Sequence, residues 1–198
     1  MSASNARKMS ATAARVYGAI EALMGKHLTI RSLDEAERLM ELVRASAARV
    51  REWMSAQNGD PLDMLRHIKF DAIGFHPIEN RPLNFVEQIN QTWTYAVAIA
   101  ATRQLLHLHP NVGGFGLAPG AHAALELDIM SVEPGRVGAE TFAAVTPRNN
   151  GKLAADLTKL ANRPEKYRYV FFMSPQFPGN ERRPQFERDG IEVWSVDV

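Results

Sequence analysis

Two acids and two lysines lie close together in the segment AALELDIMSVEPGRVGAETFAAVTPRNNGKLAADLTKL, residues 123–160. Asp128 stands near the end of one predicted apolar strand, and Glu140 stands in the middle of the next. Lys152 and Lys159 follow on a predicted helix. Two carboxylates on neighbouring strands, with an ammonium close behind, are the groups that a metal-dependent phosphodiester hydrolase needs at its centre.

The two predicted strands decide whether these acids can meet. On the first strand, Glu126 and Asp128 point to one face, while the intervening leucines point to the other. On the next strand Glu140 and Phe142 share a face, so Glu140 stands beside Asp128 if the register of the hairpin allows it. Two carboxylates so close repel each other unless a cation lies between them or one keeps its proton. Magnesium, which prefers oxygen ligands, is the natural cation.

Each candidate also has an ordinary structural interpretation. Asp128 and Glu140 lie inside apolar strands, where an unpaired acid is costly, so either a functional role or pairing with Arg136 or Lys159 explains them. Glu126 reads as a solvated or salt-bridged residue. Lys152 also reads as a surface lysine of an amphipathic helix whose leucines face the sheet. The polar turn at residues 148–150 is either a phosphate site or a helix cap.

Composition excludes several other kinds of chemistry. The 198 residues contain no cysteine, which excludes disulfides, thiol nucleophiles and cysteine metal sites. The formal net charge is +1, from 23 Lys and Arg against 22 Asp and Glu, which is weak support for a polyanionic partner. The charge is uneven, because residues 71–133 hold six acids and two arginines. Such a distribution suits an acidic site with a basic rim, and it is also common on plain surfaces.

The chain carries no recognisable membrane or export signal. Its longest apolar run is too short to cross a bilayer, and the N-terminal MSASNARKMSATAARV lacks the apolar core of a signal peptide. With 45% hydrophobic residues it can bury the core of an ordinary domain. We therefore expect a soluble, cytoplasmic protein with no membrane partner.

Residues 1–70 are predicted to form a separate helical region. Val16, Ile20 and Leu23 recur at helical spacing, and Ser32 with Glu35 has the spacing of a capping box. The helix that begins there has an apolar face reaching residue 54, and a third, short helix opens at residues 60–63. No catalytic set of residues occurs here, but the apolar faces suit pairing with another copy or a partner protein.

Residues 71–198 are predicted to form an α/β domain. Residues 73–84 read as a linker or irregular entry segment, and 111–120, NVGGFGLAPG, reads as a flexible turn. Between them lies a long helix over 84–107. After the turn we predict strands over 122–131 and 136–145 joined by a tight turn at 133–135, a helix over 150–161, and strands over 167–173 and 191–196.

This order of elements resembles the αβββαβ core, with a mixed central sheet, of the PD-(D/E)XK nuclease superfamily of restriction endonucleases. The resemblance covers roughly the last three-fifths of the chain. In that family one acid lies on the second core strand, and a second acid, followed two residues later by a lysine, lies on the third. Asp128 in ALELDIM and Glu140 in VGAETFAAV match the two acids, whereas Phe142 stands where the lysine is expected.

The resemblance implies a metal-dependent endonuclease that hydrolyses DNA with Mg²⁺ or Mn²⁺ held by Asp128 and Glu140. Lys152 is then expected to replace the missing strand lysine, since the superfamily tolerates such migration. Glu87, in the first turn of the long helix, matches an additional acid of some members, or caps that helix together with Asn84. A homodimer through the N-terminal helices fits this class. The alternative is a catalytically inactive member that binds nucleic acid or protein, which Phe142 and the near-neutral charge favour.

Overall fold

The computed structural model describes residues 28–119, 125–148 and 151–198. Within these ranges the chain forms an α/β fold with four α-helices and a mixed seven-stranded sheet. The helices are α1 (Leu33–Ser55), α2 (Pro61–Phe70), α3 (Phe85–Leu108) and α4 (Lys152–Ala161). The strands are β1 (Leu28–Ile30), β2 (Gly74–Phe75), β3 (Pro82–Leu83), β4 (Phe115–Leu117), β5 (Ile129–Ser131), β6 (Val137–Ala143), β7 (Tyr167–Met173), β8 (Glu181–Arg182) and β9 (Ile191–Ser195). None of these helices is both long and apolar enough to span a membrane.

The large sheet has the order β1-β4-β5-β6-β7-β9-β8. Strands β6, β7 and β9 run parallel to one another, and every other neighbouring pair is antiparallel. Strands β2 and β3 form a separate two-stranded ribbon. From α3 to β7 the elements follow as helix, three strands, helix and strand, with β4 in the place of the predicted flexible turn. The likeness of this core to restriction endonucleases stays a prediction.

Helices cover both faces of the sheet, because the central strands are apolar on both sides. On β6 and β7, Ala139 and Phe171 belong to a core that also contains α1 and α3. Phe142 and Phe172, which alternate with them, belong to a second core under α4. We call these two sides the α3 face and the α4 face. Near-continuous apolar strands are expected where a parallel sheet is covered on both sides.

Two predicted segments are wrong in detail. Residues 111–120, predicted as a flexible turn, contain β4, whose residues Phe115–Leu117 are all buried between β1 and β5. The predicted linker over 73–84 likewise contains the β2–β3 ribbon. Strands of two or three residues are too short to show a period in the sequence, and it is their hydrogen-bonded neighbours that stabilise them.

The first predicted acid-bearing strand is also shorter than expected. Only Ile129–Ser131 is strand, and residues 125–128 precede it without strand pairing of their own. Leu127 packs on the α4 face, whereas Ile129 packs on the α3 face. A regular strand would place both on one side. The side chains before and after Asp128 therefore point to opposite faces of the sheet, and the predicted alternation of acids and leucines does not hold there.

The helix caps predicted in the N-terminal region are confirmed. Ser32 caps α1 by accepting a hydrogen bond from the Glu35 backbone, and Asp60 caps α2, with proline at its first position. Strand β1, which the sequence did not predict, pairs with β4 and so joins this region to the large sheet. The helix predicted around residues 16–23 lies outside the described residues. The division into regions 1–70 and 71–198 stays a prediction.

Candidate functional site

Glu140 lies in the middle of β6 with its side chain on the α4 face, where it is 2% exposed. An ionised carboxylate at this depth needs compensation. Lys159 of α4 supplies it, with Nζ 2.7 Å from Glu140 Oε1. Lys152, the first residue of the same helix, places Nζ 3.9 Å from Oε2. Both lysines of the predicted helix thus lie beside this acid.

Asp128 approaches the same point from the neighbouring chain segment. The β5–β6 register pairs Ile129 with Ala139, so Asp128, which immediately precedes β5, lies near Glu140, and its charge raises the pKa of that carboxyl. Asp128 Oδ2 accepts hydrogen bonds from the backbone N (2.8 Å) and Oγ1 (3.0 Å) of Thr141. Oδ1 accepts no hydrogen bond from the described part of the chain. These bonds hold the carboxylate beside the central strand.

Asp156, which the sequence reasoning did not select, completes the cluster. Asp156 is 2% exposed, and its Oδ1 accepts a 2.6 Å hydrogen bond from Lys152 Nζ. Its Oδ2 is buried and has no hydrogen-bond partner in the described structure. The signal was in the sequence: residues 152, 156 and 159 are spaced i, i+4 and i+7, and therefore share one helix face. We call Asp128, Glu140, Lys152, Asp156 and Lys159 the acid–lysine cluster.

The cluster shifts the acidity of its own members. Burial raises the pKa of Glu140, the charge of Asp128 raises it further, and Lys159 opposes both. Burial also raises the pKa of Asp156 against the effect of Lys152. Burial alone would lower the pKa of Lys152, but the hydrogen bond and charge of Asp156 outweigh it and raise the value. Lys152 is therefore an ammonium at neutral pH, suited to hold negative charge rather than to accept a proton.

The raised pKa of Glu140 predicts that the stability of the protein depends on pH. A carboxyl whose pKa is raised on folding stabilises the protein fully below its unfolded pKa, and that contribution is lost as pH rises through the folded value. We compare the unfolding free energy of the wild type with that of Glu140→Gln. The wild-type value minus the variant value should fall as the pH rises above the pKa of an ordinary glutamate. Denaturant unfolding of both proteins between pH 4 and pH 8 measures this difference. A difference that rises with pH contradicts the shift.

The remaining predicted residues lie elsewhere or take structural roles. Glu87 is exposed on α3, the helix of the opposite face, and its backbone N–H donates to the Asn84 cap at 2.8 Å. Within the described residues no contact joins it to the acid–lysine cluster. Phe142 is buried under α4 and stacks on Phe172, with ring centroids 5.8 Å apart. Glu126 is exposed and forms an ion pair with Arg163, as its salt-bridged interpretation predicted.

Of the two structural partners considered for the central acids, only one is used. Lys159 pairs with Glu140, whereas Arg136 lies 3.6 Å from Glu133 in the turn before β6. Asn149 and Asn150 of the predicted polar turn lie outside the described residues. Arg148, just before them, is exposed and lies over the Phe186 ring.

No protein-family model, curated protein or solved structure matches this chain.

The cluster offers hard oxygen ligands. It holds three carboxylates against two ammonium groups, and the buried Asp156 Oδ2 lacks a donor. In the residues that the structure describes, no three His, Asp or Glu side chains converge closely enough to hold one ion by themselves. Mg²⁺ usually takes only one or two carboxylates and keeps several waters. Asp128 and Glu140 fit such a site, because each keeps an oxygen that accepts no hydrogen bond within the described chain.

Proposed function

We propose that the acid–lysine cluster is the active site of a Mg²⁺- or Mn²⁺-dependent endonuclease of the PD-(D/E)XK type, which hydrolyses phosphodiester bonds in DNA. One observation carries the proposal. The Lys152 ammonium lies 3.9 Å from Glu140 Oε2, and Asp128 lies close enough for its charge to raise the pKa of both groups. This combination of two acids and one lysine is what the sequence pattern predicts for such a nuclease.

Each residue has a distinct task in the proposed site. Asp128 and Glu140 would hold the divalent cation, which when bound polarises a phosphate oxygen and lowers the pKa of water. Thr141 fixes the Asp128 carboxylate through two hydrogen bonds. Lys152 stabilises the charge that develops on the scissile phosphate, in the place of the strand lysine that Phe142 replaces. Asp156 is a positioning residue, since it touches Lys152 and not the substrate.

A second function is favoured by a different observation. Glu140 Oε1 is already neutralised by Lys159 at 2.7 Å, and Phe142 is committed to the core under α4. Both features suit a catalytically inactive protein of this fold that binds nucleic acid or protein through the same surface. The two functions differ in one measurable respect, because only the nuclease breaks a bond.

The test is a cleavage assay with supercoiled plasmid and circular single-stranded DNA. With Mg²⁺ or Mn²⁺ we expect nicked, linear or fragmented products, and with a chelator we expect none. An RNA strand of the same sequence tests the choice of nucleic acid. Cleavage that persists in the chelator contradicts the metal dependence. DNA binding without cleavage under any of these conditions favours the inactive protein.

A further inference from the structure

Large apolar side chains are exposed on one part of the molecule, the helices α1 to α3. Their exposed fractions lie between 38% and 76%. Apart from Leu33 and Leu108 at the opposite ends of α1 and α3, the residues are Met54 on α1, Leu62, Leu65 and Phe70 on α2, and Val86, Ile89 and Trp93 on α3. Taking roughly 200 Å² for a large side chain, they expose together on the order of 700 Å². The α2 side chains and the α1 and α3 side chains each account for roughly half of this area, and each half is within the about 300–600 Å² of a largest apolar patch, which often marks an interaction site.

A groove between α1 and α3 forms the centre of this surface. Its volume is about 510 Å³, and its walls include Val50 and Met54 of α1 and Phe85, Ile89 and Trp93 of α3. The wall residues recur every four positions, so the groove runs along both helices. From residue 85 to residue 93 it is about 12 Å long at 1.5 Å per residue. A groove of this shape takes a helix whose apolar side chains are spaced three or four residues apart.

Helix α2 presents such a face on the side of Leu62 and Leu65, and nothing in the described structure packs against that side. None of its ten residues is buried. Met64 and Ile68 are half-buried, whereas Leu62 and Leu65, three apart on another side, are 76% and 55% exposed. At 1.5 Å per residue the helix is about 15 Å long, which suits the groove. No residue of α2 lines the groove of its own chain, so its exposed leucines are available to a second molecule.

We propose that the partner is a second copy of this chain, with α2 of each copy docked in the α1–α3 groove of the other. A two-fold axis makes both contacts equivalent, so both grooves and both α2 helices are covered at once. The apolar area, on the order of 700 Å² per copy, is close to the about 800 Å² per partner of a standard stable interface. Trp93 lies in the groove as a large aromatic anchor, the residue type enriched at such centres. The proposal does not depend on the nuclease assignment.

The test is the molar mass in solution, measured by light scattering and sedimentation at about 50 μM, since interfaces of this size range from micromolar to tighter affinity. We expect twice the 22.0 kDa mass of the chain. Leu65→Lys on α2 and Ile89→Lys in the groove should each raise the dimer dissociation constant by more than roughly 30-fold, the effect of losing a single anchor, because each substitution alters both symmetric contacts. Val132→Lys, at a 46% exposed valine far along the chain in the β5–β6 turn, should leave it unchanged. Circular dichroism confirms that each variant is folded.

Mixing the two variants separates this arrangement from other dimers. In a dimer of one Leu65→Lys chain and one Ile89→Lys chain, one of the two α2–groove contacts is intact, so the mixture should dimerise more tightly than either variant alone. A wild type that is monomeric overturns the proposal. It would mean that residues 1–27 or another protein covers the apolar surface of α1 to α3. A dimer that survives both substitutions, or variants that fail to complement, overturn the reciprocal contact.

Discussion

Glu140→Gln is expected to lower the rate of DNA cleavage by about 10²- to 10⁴-fold, the range found when a group that acts directly in the chemistry is removed. Glutamine keeps the shape of the side chain and removes the negative charge. The buried position on the α4 face is retained, so the loss reports the charge that would hold the cation. Asp128→Asn should lower the rate similarly, because it also removes a negative charge. The asparagine carbonyl oxygen can still accept the hydrogen bond from Thr141, so the position of the side chain is kept.

The measurement is the single-turnover cleavage rate at increasing Mg²⁺ or Mn²⁺ concentration. Glu126→Gln is the matched control, since Glu126 lies two residues from Asp128 but is exposed and paired with Arg163. It should retain wild-type activity within about twofold, as surface substitutions have small effects. If Glu140→Gln cleaves at the wild-type rate, the acid–lysine cluster is not the active site.

Lys159→Met is expected to lower the unfolding free energy by about 2–3 kcal/mol at neutral pH, because it leaves the Glu140 carboxylate buried without its closest partner. For a chain of this length, this corresponds to a fall in the melting temperature of roughly 5–10 °C. Methionine keeps most of the apolar stem of the lysine side chain and removes its charge. The loss should shrink at acid pH, where Glu140 takes up a proton.

A double-mutant cycle assigns this loss to the pair. Lys159→Met combined with Glu140→Gln should recover most of the stability, since a buried ion pair can be replaced by neutral groups at little cost. Lys166→Met serves as the control, because the Lys166 ammonium lies over the Tyr167 ring rather than beside a carboxylate. Its effect should stay within about 1 kcal/mol. An equally unstable double variant shows that Lys159 acts through packing instead.

Local patterns predicted the longer elements of the fold. Residues 84–107 were predicted as a helix from their caps and spacing, and α3 covers Phe85–Leu108. The apolar run at 167–173 was predicted as a strand and is β7. The turn at 133–135 joins β5 to β6, with Gly135 at a positive φ of 71°. Such elements follow from residues within a few positions of each other, which a sequence displays directly.

The three-residue strands β1 and β4 could not be predicted in this way. Leu28–Ile30 and Phe115–Leu117 are stabilised by pairing with one another across more than eighty residues. The sequence did not predict, for a related reason, that Leu127 and Ile129 lie on opposite faces of the sheet. Leu127 turns to the α4 face because it packs there with the residues under α4, and the alternation of residue types does not encode that contact.

The sequence by itself determined which residue types could do chemistry and where they lie along the chain: Asp128, Glu140 and the lysines of one amphipathic helix. Only the tertiary structure decided their partners. It brought Lys159 to Glu140 across nineteen positions, buried Asp156 beside Lys152, and left Glu87 on a helix of the other face. The physical reason is that a helix face is set by local geometry, whereas an ion pair depends on how the helix is docked on the sheet.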